Sequence, residues 1–179
     1  MLAQDRHEAL YCPGGCGRRS CEDPKKPQRR GEQLKTFLSH NKEETIAFGE
    51  LIGKAAPGGS VIAFRGDLGA GKTTLSKGIA QGLGIDEEVT SPTYTIVSEY
   101  RGRLALYHID AYRLAGESDF AEIGGYDMLE SAGSLCLIEW SERLPGIVND
   151  STAIIDIRVE HGDERRLSLS GAWLEALLP

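Results

Sequence analysis

Gly66-Asp67-Leu68-Gly69-Ala70-Gly71-Lys72-Thr73 is the stretch that decides the fold. It matches G-x-x-x-x-G-K-[ST], the phosphate-binding P-loop. It follows an apolar run (Val61-Ile62-Ala63-Phe64) and precedes a helix-compatible stretch over residues 74–83. Each residue type has a physical task. Glycines let successive backbone N–H groups converge on an anion without side-chain clash. The helix starting near Gly71 adds its unpaired N–H groups and the positive end of its dipole. Lys72 is predicted to reach the β- and γ-phosphates and the Thr73 hydroxyl to ligate Mg2+. A glycine-rich turn without a ligand is the alternative, and the strand–loop–helix context argues against it. The expected ligand is a nucleoside triphosphate.

Around this loop the pattern predicts an α/β fold. Asn41 can cap a helix over residues 43–56, with Ile46, Leu51 and Ile52 on one face and Pro57-Gly58-Gly59 ending it. The P-loop helix runs over 72–83 and is closed by Gly84. Residues 93–100 and 103–109 alternate about Arg101-Gly102, as in a hairpin. Asp119 can cap a short helix carrying Phe120, Ile123, Met128 and Leu129. Residues 135–140 read as a central strand covered on both faces. Residues 153–160 and 165–169 alternate about Gly162-Asp163, predicting an antiparallel hairpin at the sheet edge. The expected architecture is a P-loop NTPase-like three-layer sandwich with parallel core strands and antiparallel additions.

With 179 residues, 40% hydrophobic and 26% charged, the chain can form one domain with a sizeable core. No apolar run approaches a membrane span, and the N-terminus lacks the layout of a signal peptide, so a cytoplasmic protein is expected. The charge is uneven. Residues 1–35 carry eight Lys and Arg against five Asp and Glu; the remainder carries twelve against twenty-two. An acidic body lacks the cationic footprint that phosphate backbones need. DNA is therefore not an expected partner, and any link to nucleic acid is expected to run through another protein.

Residues 1–35 are rich in Gly, Pro and charge and lack apolar periodicity. A disordered or non-native extension is expected there, with the single domain over 36–179. Cys12, Cys16 and Cys21 fall in this stretch. A zinc site would need a fourth ligand, with His7 the nearby candidate, and the spacing fits no familiar knuckle. Cys136 reads as a buried small hydrophobe.

A P-loop ATPase also needs a carboxylate at the end of a second strand to hold Mg2+. Glu139 closes Leu135-Cys136-Leu137-Ile138 in that position, and Trp140, if on the same strand, faces the other way. Asp110 ends residues 104–109, on the same face as His108, where it can order a metal-bound water or the nucleophile. Both carboxylates are expected at strand ends near the metal and outside the core. Ser91-Pro92-Thr93-Tyr94-Thr95 lies where related proteins carry a nucleotide-sensing switch, although such a segment is commonly only a turn. Tyr94 and Thr95 are expected to begin the next strand.

These stretches, with Thr90 and with His108-Ile109-Asp110-Ala111-Tyr112-Arg113-Leu114, resemble the TsaE (formerly YjeE) family in order and spacing over about residues 36–171. That family is the P-loop ATPase subunit of the bacterial system that makes threonylcarbamoyladenosine beside the anticodon of certain tRNAs. The resemblance implies that Gly69, Ala70, Gly71, Lys72, Thr73 and Thr74 contact ATP, with Thr73 on Mg2+. It implies that Asp110 is the essential aspartate of the His-x-Asp-x-Tyr-Arg motif and Glu139 the second metal-site acid. Trp140 is then the aromatic on which function depends, and Thr93 lies in the switch-like segment. Base contacts fall near Lys42 and Asp163. The implied partner is the TsaB–TsaD heterodimer, with weak ATPase activity in isolation and tRNA met only through the complex. Ser141-Glu142 follows Trp140 where the family commonly has proline, and the stretch over 1–35 departs from it altogether.

Two other readings use the same loop. A small-molecule kinase needs an Arg-rich lid, for which Arg101, Arg103 and Arg113 are the nearest candidates without being clustered that way. A GTP-dependent switch needs an Asn/Thr-Lys-x-Asp motif, which the sequence lacks.

Overall fold

A computed structural model describes residues 35–179. The expectations for Cys12, Cys16, Cys21 and the stretch before Lys35 lie outside the described residues. The described chain forms a mixed seven-stranded sheet. Its strands are β1 (Lys35–Ser39), β2 (Ser60–Arg65), β3 (Val97–Arg101), β4 (Ala105–Asp110), β5 (Ser134–Glu139), β6 (Ala153–Val159) and β7 (Arg165–Ser170). Their order is β1-β7-β6-β2-β5-β4-β3. The core β6-β2-β5-β4 is parallel, while β3 and the β7-β1 pair add antiparallel edges.

Helices α1 (Lys42–Ala55) and α2 (Lys72–Gly82) cover one face of the sheet. Phe48, Ile52, Leu75 and Ile79 meet Ile62, Phe64, Leu135 and Leu137 there. The short helices α3 (Glu117–Glu122) and α4 (Gly125–Glu130) lie with the opposite cluster, in which Phe120, Met128 and Leu129 meet Val61, Ile109 and Ile138. Strand alternation thus divides β2 between two cores, and the three-layer expectation holds. β5 is buried at every position, as its apolar run predicts.

Asn41 caps α1, accepting from Glu44 N at 2.8 Å. α1 and α2 approach closely because glycines face each other. A Cβ added at Gly49 would lie 2.6 Å from Leu75 O and 2.9 Å from Gly78 Cα, and Gly53 meets Gly82 in the same way. This contact brings the start of α1, and with it Lys42, towards the start of α2.

Several elements differ from the sequence reading. β1 was not predicted; its five residues pair outside β7, so the C-terminal hairpin is not the sheet edge. The first hairpin begins at Val97, not at Thr93, because residues 92–96 form a closed turn (Ile96 N donates to Pro92 O, 2.7 Å). The predicted single helix after Asp119 is two, broken at Gly124 (φ 74°). Asp119 lies inside α3 and accepts from Ala115 N (2.7 Å) instead of occupying the cap position. Finally, α5 (Ala172–Glu175) closes the chain and buries Leu174.

Candidate functional site

The site lies at the carboxyl ends of the parallel strands, where open α/β sheets bind ligands. Gly66 (φ 136°) and Gly71 (φ 110°) use backbone conformations that side chains disfavour, and a Cβ at Gly66 would collide with Ile157 O. A Cβ at Gly69 would meet nothing within 4 Å, so the loop is open there. Lys72 is buried. Its ammonium donates to Gly66 O (2.8 Å) and Asp67 O (3.0 Å) and lies 4.2 Å from the centre of the Trp140 ring.

Glu139 and Asp110 are directly paired across β5 and β4. Both are only 3% exposed, which corrects the expectation that these carboxylates lie outside the core. Strand ends here are roofed by the phosphate loop and by residues 91–95, so a terminal carboxylate is desolvated and needs donors. Glu139 Oε1 has two: Thr73 Oγ1 at 3.3 Å and His108 Nε2 at 2.8 Å. Asp110 Oδ1 accepts from Tyr112 N (2.9 Å), and Oδ2 accepts from Thr93 Oγ1 (2.8 Å). Because the Thr93 hydrogen is committed to Asp110, Ser91 Oγ, 2.7 Å away, donates to Thr93.

Trp140 is not an alternating strand residue. It adopts the left-handed conformation (φ 58°, ψ 39°), and its indole lies over Lys72 and 5.2 Å from the Tyr112 ring. A bulky residue there is strained, a condition that clusters at functional sites. Ile96 shares that rare geometry (φ 66°) where the 91–95 segment enters β3.

Two adjoining cavities open beside the loop. One, of about 220 Å3, is lined by Gly69, Gly71, Lys72, Thr73, Thr74, Ser91, Thr93, Asp110, Glu139 and Trp140. The other, of about 190 Å3, is lined by Lys42, Thr45, Gly69, Gly71, Thr74, Asp163 and Arg165. The sequence-derived residues thus fall into two neighbouring groups joined by the loop. Ala70 is buried and stands in neither lining. The first cavity offers a cation, backbone donors, hydroxyls and two carboxylates, a donor set that suits a metal-bound phosphate. Among the described residues no trio of His, Cys, Asp and Glu forms a self-contained metal site. Mg2+ characteristically takes one or two carboxylates with substrate phosphates, so the set fits.

Two residues have contacts at the site to which the sequence reading assigns no role. Arg165 donates from Nε to Ala70 O (3.0 Å) and from Nη1 to Gly162 O and Glu164 O (both 3.0 Å), tying the 160–164 turn to the phosphate loop. Nothing in the local sequence reveals this, since the partners are 95 residues apart. His108 is fully buried against Glu139; its position in phase with Asp110 was the available signal.

Comparisons with known proteins agree with this fold. The TsaE family model, described as threonylcarbamoyl adenosine biosynthesis protein TsaE, matches residues 39–167. The tRNA threonylcarbamoyladenosine biosynthesis protein TsaE of Treponema pallidum (strain Nichols) is 41% identical over 133 residues, covering 74% of this chain and 98% of that protein. Its Bacillus subtilis (strain 168) counterpart is 41% identical over 140 residues, covering 78% and 86% respectively. The crystal structure of Bacillus subtilis YdiB has a TM-score of 0.67 at 33% identity, covering 82% of this chain and 97% of YdiB. No helix among the described residues is long and apolar enough to cross a membrane.

Proposed function

The chain belongs to the TsaE family of threonylcarbamoyladenosine biosynthesis, and we propose that its part in that tRNA modification is to bind and hydrolyse ATP with Mg2+ while docked on the TsaB–TsaD heterodimer. The observation that carries this reading is the convergence of Lys72, the Thr73 hydroxyl and the Asp110 and Glu139 carboxylates on one cavity beside the phosphate loop. Bound Mg2+ would supply neutralisation of charge on the phosphate oxygens.

The chain's own groups do the remaining work. The backbone N–H groups of residues 69–74 and the start of α2 hold the phosphates. Lys72 exchanges its two loop carbonyls for phosphate oxygens, which give stronger charge-assisted bonds. Thr73 and Glu139, already joined by a side-chain bond, would hold the metal. Asp110, fixed on both oxygens, is the group to orient the attacking water. Lys42 and Asp163, beside the second cavity, serve the base end of the nucleotide. The acidic body suits indirect access to tRNA through the complex.

Of the three arginines nearest to a kinase lid, Arg103 is occupied with the carbonyls of Gly53 (2.7 Å) and Ala56 (2.9 Å) at the end of α1. Reconstituted tRNA modification tests the proposal. Replacing wild type with Asp110→Ala or Glu139→Ala is expected to abolish product formation. A wild-type rate from either variant would remove that residue from the mechanism.

A further inference from the structure

We propose that His108 is a positioning residue for the metal site, holding the Glu139 carboxylate in the orientation that binds Mg2+. The inference rests on the reading of Glu139 as a metal-site acid and adds a residue to it. His108 lies on β4 and is wholly buried, with Nε2 2.8 Å from Glu139 Oε1. Nδ1 is also buried and has no hydrogen-bond partner among the described residues.

These two facts fix what the ring does. A carboxylate oxygen only accepts, so the bond requires the hydrogen on Nε2. The imidazole is therefore a donor to Glu139 with no competing bond at its other nitrogen. Ser76 Oγ, 3.5 Å from Nε2, is engaged with Lys72 O at 3.1 Å and does not displace Glu139.

The consequence concerns Glu139 more than His108. Oε1 accepts from both Thr73 and His108. Thr73 is itself proposed to ligate Mg2+, so its bond to Glu139 is expendable once the metal is held. His108 takes no part in ligation, and its bond persists. Its donor then fixes the plane of the carboxylate as the Thr73 hydroxyl is diverted. Partners of this kind orient metal ligands, and losing one typically lowers metal affinity about 10- to 100-fold.

The test compares His108→Leu, His108→Asn and His108→Gln with wild type, using calorimetry with ATP at graded Mg2+ and with ATP in chelator, and thermal melting. The Gln amide can reproduce the Nε2 donor; the shorter Asn amide cannot reach Glu139. His108→Leu and His108→Asn are expected to raise the Mg2+ concentration for half-maximal enhancement of ATP binding at least about tenfold. Binding in chelator should stay within about twofold of wild type, and His108→Gln should stay within about threefold of wild-type Mg2+ dependence. Should the Leu variant not fold, the Asn and Gln pair decides. Wild-type Mg2+ dependence in Leu or Asn, equal loss with and without Mg2+, or a Gln variant as defective as Asn would overturn the inference. ATP binding by wild type that ignores Mg2+ would instead overturn the metal-site reading of Glu139 on which it rests.

Discussion

Thr73 donates its hydroxyl hydrogen to Glu139 Oε1 over 3.3 Å, joining the phosphate loop to the end of β5 across 66 residues of sequence. The two groups proposed to hold Mg2+ are therefore in contact through one side-chain bond. The β4–β5 register sets Asp110 beside Glu139, and Thr93 reaches Asp110 from the 91–95 segment. One chain of side-chain bonds and paired strands links the phosphate loop to the switch-like turn, and the predictions follow its members.

Lys72→Ala removes the side-chain cation at the centre of the loop. Charge-assisted bonds contribute about 1.5–3 kcal/mol each, so ATP affinity is expected to fall at least about a hundredfold. Calorimetry with Mg2+ and ATP measures this. Near-wild-type affinity would mean that the loop is not used as a P-loop.

Thr93→Ala breaks the bond to Asp110 Oδ2 but leaves the phosphate loop intact. ATP affinity is expected to stay within about threefold of wild type, since no phosphate contact is lost. If the 91–95 segment senses nucleotide, wild type binds TsaB–TsaD about tenfold more tightly with an ATP analogue, a coupling of about 1.4 kcal/mol. The variant should shrink that difference. Equal partner affinity with and without nucleotide in wild type would refute the switch.

Arg165→Ala frees the 160–164 turn from Ala70 O. Losing these hydrogen bonds from a charged group should weaken ATP binding by at most about 1.5–3 kcal/mol, with little change in Mg2+ dependence. Calorimetry separates the two effects. Unchanged affinity would show that the turn does not shape the nucleotide site.

Burial pushes the Cys136 thiol from its ordinary 9.0 up to about 12, outweighing a hydrogen bond with Ser134 that acts the other way. A pKa raised on folding gives stability that is complete below 9 and is lost as pH rises from there towards 12, because the unfolded thiol ionises first. Urea unfolding between pH 8 and 10.5 should show wild type losing up to about 1.4 kcal/mol per pH unit more than Cys136→Ala above pH 9. Parallel slopes would contradict the burial of the thiol.

The legible parts of the sequence were those in which local pattern and tertiary role coincide. The P-loop needs its glycines for backbone geometry, and β5 needs an unbroken apolar run to be covered twice. Glu139 and Asp110 could be found because each carboxylate ends such a run. Their burial could not, since the roof over them comes from distant loops. The same reason hid the His108–Glu139 bond and the reach of Arg165 to Ala70. Trp140 was misread because alternation assumes a strand, whereas its left-handed turn turns the chain just after Glu139. β1 escaped because it precedes α1 as a five-residue strand that, among the described residues, pairs only with β7, with just Phe37 and Leu38 as large apolar residues.

We propose that this site hydrolyses ATP under the control of its partners. The direct measurement is the steady-state rate of phosphate release from ATP and Mg2+ by the full chain, alone and with TsaB–TsaD, for wild type and Glu139→Gln. Weak turnover alone, at least about tenfold stimulation by the pair and loss of both rates in Glu139→Gln is the predicted result. A rate indifferent to the pair, or retained in Glu139→Gln, would contradict it.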